Sequence, residues 1–293
     1  MELTVAHYRN RFCMFRTYYA LAAGKVRPPG LRIEVVEVPD PPSRALEEAL
    51  IRGDVHVANL YVANFLRRKL EGAPIVGLAT EWKSTLKGNG VFVRRDGPIR
   101  KPQDLAGALI ATHQGPHAIH RYLLRRAWGV DDATLRWEAR PQEELLEALR
   151  SGRVDAVVLL DQFFFRGESA PDVRCLYTDG EAWMRLTGFE QMIKHMVAVR
   201  EEWLARHPES KESVLRAFRD SFAYSERHLE EIGEAFVRRY GGDRDALLAS
   251  ARYPRIEFTW TDEEQQIFQA EMEMLVATGA IPRSVPIASL FAA

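Results

Sequence analysis

The sequence predicts an α/β chain of two lobes, each a mostly parallel sheet flanked by helices, with a cleft between them. Three observations lead there. Strand-like and helix-like stretches alternate along most of the chain. Its 293 residues exceed what one core usually serves, and an apolar content of 46% is enough to fill two. The chain also repeats itself. Glu48, Ala49, Leu50, Gly53 and Val55 return as Glu147, Ala148, Leu149, Gly152 and Val154, each 99 residues on. In both copies an amphipathic helix ends, a glycine supplies a left-handed turn, and an apolar strand begins at once.

Taken in order, Thr4–Ala6 reads as a strand and Phe12–Ala23 as a helix stopped by Gly24. Arg32–Val38 alternates as a strand. Ser43, after Asp40-Pro41-Pro42, is placed to cap the helix that ends near Leu50. The first repeat strand runs from Val55 to Leu60, followed by a helix over Val62–Leu70 and strands at Ile75–Leu78 and Gly90–Arg94. Lys101–Gly107 forms a helical turn before a strand at Ala108–Ala111. Helix His117–Trp128, strand Leu135–Glu138, helix Gln142–Arg150 and the second repeat strand, Val154–Leu160, complete the alternation. From Val197 the apolar spacing becomes mostly helical, over Glu201–Ala205, Lys211–Arg238 and Thr261–Thr278.

Forty basic residues against forty-one acidic ones give no electrostatic case for nucleic acid or an anionic membrane. Cys13 and Cys175 are the only cysteines, too few for a disulfide framework or a structural zinc. No apolar run reaches the length of a membrane span. Leu3–Ala6 already reads as a strand, with no basic and apolar leader before it. The chain is expected to be extracytoplasmic if a leader has been removed and cytoplasmic if Met1 is the native start.

Several segments carry a family resemblance: "EEALIRGDVHVAN", "APIVGLA", "VFVRRDGPIRKPQDLAGALIAT", "LLEALRSGRVDAVVL" and a late "EEWLARHPE". Together they resemble the type 2 periplasmic binding-protein superfamily, and within it the nitrate/sulfonate/taurine and thiamine-pyrimidine-precursor (NMT1/THI5-like) group. The most specific stretch is Ile99–Ala111, then Gly152–Ala156. The resemblance spans nearly the whole chain. It implies one lobe of residues 1–85 plus 195–293, a second of residues 86–194, and hinges near Glu81–Val91 and Gly188–Val197. It also implies a substrate-binding protein for ABC-type uptake, with a small-molecule ligand, a transporter permease as a partner and no cofactor.

In that fold a ligand sits at the C-terminal ends of parallel strands. The positions that follow strands are therefore candidates: His7, Tyr8, Arg9, Asn10 and Arg11; Asn59, Tyr61 and Asn64; Glu81, Trp82 and Lys83; His113, Gln114, Gly115 and His117; Asp161, Gln162 and Phe163. Arg9, Arg11 and amides freed at Gly115 favour an anionic group, and Tyr8, Tyr61 and Trp82 an apolar or aromatic body. A small organic acid, sulfonate or heterocycle fits both. Core packing for the aromatics and surface ion pairing for the arginines are the competing readings.

Two enzymatic alternatives stand beside this reading. His113, His117 and His120 are spaced as metal-binding histidines can be, as in decarboxylases that resemble dihydroxyphthalate decarboxylase. A THI5-like pyrimidine synthesis is disfavoured. Leu60 and Asn64 stand where that group has its lysine and histidine, and the cysteine cluster is missing. No phosphate loop and no nucleophile elbow occurs.

Overall fold

The computed structural model describes residues 1–39, 44–113 and 115–292, so the Ser43 cap and Gln114 lie outside the described residues. The chain first lays down β1 (Glu2–Tyr8), α1 (Phe12–Ala22), β2 (Arg32–Val38), α2 (Ala45–Arg52), β3 (Val57–Tyr61), α3 (Val62–Leu70) and β4 (Ile75–Ser84). A second series follows: β5 (Asn89–Arg94), β6 (Leu109–Thr112), α4 (Ala118–Trp128), β7 (Arg136–Ala139), α5 (Gln142–Arg150), β8 (Ala156–Leu160), α6 (Asp161–Ser169) and β9 (Val173–Thr178). Helix α7 (Asp179–Thr187) leads back to β10 (Met192–Ile193) and β11 (His195–Arg200). The remainder is α8 (Glu201–Arg206), α9 (Ser210–Arg227), α10 (Leu229–Tyr240), α11 (Arg244–Ser250), β12 (Arg255–Thr259) and α12 (Asp262–Ala277).

The two sheets share one plan. The first is ordered β2-β1-β3-β11-β4-β10, with β12 also pairing β4, and the second β7-β6-β8-β5-β9. In each, three strands run parallel: β2, β1 and β3 in one, β7, β6 and β8 in the other. In each, the fourth strand is antiparallel to both neighbours, β11 in the first sheet and β5 in the second. In each sheet that fourth strand stands where the chain crosses over from the other sheet. β5 follows β4 in the chain yet joins the second sheet, and β11 follows β9 and α7 yet joins the first.

The internal repeat is the visible half of this plan. Gly53 (φ 87°) and Gly152 (φ 73°) both take the left-handed turn that lets a helix feed straight into a buried strand. The strands they feed, β3 and β8, lie at equivalent places in their sheets. Alternation then sorts side chains. On β3, Val57 joins a core with Tyr18, Leu78 and Phe218, while Ala58 and Leu60 join the core on the opposite face. Fully burying a side chain such as Phe218 is worth about 1.5–3 kcal/mol.

Four segments differ from what their sequence predicts. β4 runs on through Glu81, Trp82 and Lys83 rather than ending near Leu78. The two ionisable groups are tolerated in a buried strand because burial keeps the Glu81 carboxyl protonated, raised to about 8, and Lys83 has partners. Thr17 Oγ1 donates to Glu81 Oε1 at 2.7 Å, and Lys83 Nζ reaches Glu257 and Thr259 at 3.0 Å and also Glu264. Residues His195–Arg200 and Arg255–Thr259 are strands, β11 and β12, because β4 offers them an edge that no local pattern reveals. The long helix expected over Lys211–Arg238 is two, divided at His228 (φ −127°, ψ 33°), whose N–H still bonds Tyr224 O at 3.1 Å.

Candidate functional site

Four strand ends converge on one cavity. β1 leads to Arg11 and the start of α1, and β3 to Tyr61 and α3. β6 leads through His113 and His117 to α4, and β8 to Leu160, Asp161 and α6. The residues at these turns line a space of about 270 Å³ with walls from both sheets. The chain segments that join the sheets supply more of the wall: Asn89, Asp179, Lys194 and His195. Trp82 of β4 and Glu271 and Met274 of α12 complete it.

The helix starts give this cavity its character. α1, α3, α4 and α6 have no side-chain cap on their first turns. Helices α2, α5, α8, α9 and α10 lack one too, while Thr178, Asp243 and Thr261 cap α7, α11 and α12, so what marks α1, α3, α4 and α6 is that their starts meet at one cavity. Some first-turn amides at the cavity find carbonyls, since Val62 N–H donates to Lys194 O at 3.1 Å and Asp161 N–H to Gly88 O at 2.8 Å. Ala63 and Ala118, at the second and first positions of α3 and α4, have no acceptor within their own helices. Uncapped helix starts carry partial positive charge and N–H donors, so several together favour an anion. Backbone strain collects at the same turns. Asn10 (φ 59°) and Asp161 (φ 50°) are the non-glycine residues with positive φ among the described residues.

Burial sets the charge state of the wall. It holds His113 down at about 2, with Arg11 and His117 adding to the effect. His117 and His195 are held at about 3, chiefly by burial, and His120 behind them likewise. Burial pushes the Glu271 carboxyl up to about 8, against the Ile193 N–H it accepts. At neutral pH these imidazoles are uncharged and Glu271 is protonated. The charged side chains left on the wall are Arg11, Arg67 and Lys194 against Asp161 and Asp179, and Lys194 Nζ pairs with Asp179 Oδ2 at 3.0 Å. His195 stacks on Trp82 with ring centres 5.2 Å apart and meets Tyr61 edge-on at 4.6 Å. This gives an apolar aromatic flank beside the helix starts.

Of the residues expected at a site, Arg11, Tyr61, Asn64, Trp82, His113, His117 and Asp161 stand together on the cavity wall. The others among the described residues lie off it. His7 stacks on Tyr18 at 5.1 Å, and Tyr8 donates to the buried Glu47 carboxylate at 3.0 Å. Arg9 and Asn10 are exposed, and Asn59 is buried within β3. Glu81 and Lys83 are held inside β4 by the partners given above. Gly115 (φ 80°) spends its carbonyl on Thr112 Oγ1 at 2.5 Å and does not line the cavity. Gln162 and Phe163 form the first turn of α6, where Phe163 packs on the second sheet's core. Sequence reasoning missed Asn89, Asp179, Lys194, His195 and Glu271. Topology alone brings them in, because they stand on the joining segments and on α12. The adjacent Lys194 and His195, at the point where the chain was expected to return to the first lobe, were the one local signal.

His113 and His117 have ring centres 6.3 Å apart, and His117 and His120 5.2 Å. Among the described residues no group of three or more His, Cys, Asp or Glu side chains is arranged to hold a metal ion.

Comparison with known proteins gives a family and a fold. Residues 15–232 match the family described as NMT1/THI5 like. No curated protein matches the chain by sequence. The periplasmic aliphatic sulphonate binding protein SsuA from Escherichia coli is similar in structure, with a TM-score of 0.79 at 18% identity, over 100% of this chain and 92% of that one. The alkanesulfonate-binding protein SsuA from Xanthomonas axonopodis pv. citri, bound to MOPS, gives 0.74 at 17%, over 99% and 97%. A ligand-binding component of an ABC-type import system from Staphylococcus aureus, with zinc bound, gives 0.72 at 14%, over 99% and 96%. At these identities the likeness is one of fold, and that fold is the two-sheet α/β architecture of periplasmic binding proteins.

Proposed function

The chain belongs to the NMT1/THI5-like family, and from that premise we propose that it is the substrate-binding component of an ABC-type importer that captures a small organic anion in the cavity. The observation that carries this reading is the convergence of four helix starts without side-chain caps, α1, α3, α4 and α6, on one cavity. Donors of this kind recognise an oxyanion without a metal and without a titrating side chain. The Trp82, His195 and Tyr61 flank receives the ligand's apolar body. The sulfonates named for the two SsuA proteins are the first class to test. Residues 1–85 with 195–293 and residues 86–194 act as lobes that close on the ligand, in an extracytoplasmic setting with a permease as partner.

A thermal-shift screen of sulfonates, carboxylates and pyrimidines tests the reading. A ligand at a hundred times its dissociation constant adds about 2.7 kcal/mol to stability. Ala118→Pro then isolates the helix-start contribution. His117 before it is extended (φ −102°, ψ 115°), and the first helical position accepts proline, so the change deletes one N–H with little cost to folding. Loss of one charge-assisted hydrogen bond weakens anion binding roughly 10- to 100-fold. Ala118→Gly, which keeps the N–H, leaves binding near the wild-type value. A screen in which only cations or neutral sugars raise the melting temperature rejects the anion reading.

A further inference from the structure

Asp179 opens α7 and is 1% exposed. Its Oδ2 holds Lys194 Nζ at 3.0 Å. Its Oδ1 is buried and has no hydrogen-bond partner among the described residues, and Asp179 is one of the residues that line the cavity. The helix start above it is already served, because Thr178 Oγ1 accepts the Glu181 N–H at 3.2 Å. A buried carboxylate oxygen without a donor is costly, and a ligand that supplies the donor repays that cost on binding.

Asp179 and Lys194 stand paired on one part of the cavity wall, beside the chain neighbour of Lys194, His195. Because Asp179 and Lys194 pair, that part offers little net attraction to an anion, and its unused group is an acceptor. A bare oxyanion turned toward Asp179 would set oxygen against carboxylate oxygen.

We propose that Asp179 is a specificity-determining residue whose Oδ1 accepts a hydrogen bond from an O–H or N–H group of the ligand, so that the cavity selects organic anions bearing such a donor over anions that lack one. This deepens the anion reading above and rests on it.

Isothermal titration of the intact chain with two matched pairs tests it: ethanesulfonate against 2-hydroxyethanesulfonate, and propionate against 3-hydroxypropionate. The hydroxylated member of a pair that binds should bind about tenfold tighter, the equivalent of one hydrogen bond. Asp179→Asn lets the amide oxygen serve Lys194 and turns an N–H₂ group toward the ligand, so the preference should vanish or invert. Equal affinity within a pair that binds overturns the proposal and leaves the anion reading intact. The same preference persisting in a folded Asp179→Asn protein overturns it as well. The wild-type comparison needs no variant, so a misfolded variant does not rescue the idea. If none of the four compounds binds while cations or neutral sugars do, the anion reading fails and this proposal falls with it.

Discussion

Gly180→Ala should cost about 3 kcal/mol of stability, the upper part of the range for a buried position that is overfilled. A β-carbon there would stand 2.1 Å from the Thr85 carbonyl oxygen and 2.8 Å from Leu86 Cα. Both atoms are backbone of the segment that joins β4 to β5, so no side-chain rotation relieves the contact. Helix α7 and that segment would have to part. Gly233→Ala is the control. It is also a helical glycine, but its β-carbon would meet only the end of the Leu248 side chain at 3.0 Å. There the better helix propensity of alanine offsets the crowding, and the change should stay within about 1 kcal/mol. Denaturant midpoints of the two variants give the comparison. Equal midpoints would mean that α7 is not seated on the joining segment as described.

Thermal stability should peak near pH 6.5 and fall on both sides. Four buried histidines, His113, His117, His120 and His195, have pKa values lowered from 6.5 to between about 2 and about 3. Below 6.5 the unfolded chain binds protons that the folded one refuses, so stability drops as pH falls. Two buried carboxyls act in the opposite sense. Glu81 and Glu271 are raised from 4.5 to about 8, so the folded chain keeps protons that the unfolded one releases. Their contribution is complete below 4.5 and is lost as pH rises toward 8. Between 4.5 and 6.5 four groups outweigh two, and stability rises with pH. Above 6.5 the histidines no longer change, the carboxyls act alone, and stability declines. Each fully displaced group contributes up to about 1.4 kcal/mol per pH unit. Glu271→Gln removes one of the two alkaline contributions and should flatten the fall between pH 6.5 and 8. Stability that climbs steadily to pH 8 would refute the assignment.

The fold was largely legible because local signals and tertiary needs agree in the parallel part of each sheet. The helices at Val62–Leu70 and Gln142–Arg150 and the strand at Arg32–Val38 have the limits the sequence predicts. A glycine turn, a helical stripe and an apolar run are each written within a few residues. The antiparallel additions are different. β11 and β12 are strands because β4 is there to receive them, and that edge is set by residues more than a hundred positions away in the chain. The cavity follows the same division. His113, His117 and Asp161 sit just past parallel strands, where chain geometry alone puts them. Asp179, Lys194 and Glu271 arrive from segments whose position depends on how the two sheets are joined.

The late return of the chain to the first sheet also orders events during synthesis. Every strand that pairs with β4 comes from beyond residue 191: β10, β11 and β12. When Ser84 leaves the ribosome, the ten-residue β4 has no hydrogen-bonding neighbour, although most of its side chains are destined for burial. At ordinary elongation rates its first partner emerges on the order of 5–20 s later. The second sheet meets no such delay, since all five of its strands have emerged by Thr178. The later-made half is thus able to finish first, while the amino-terminal half waits with a sticky edge. A nascent chain stalled before Met192 would be a natural client for chaperones that shield extended apolar segments.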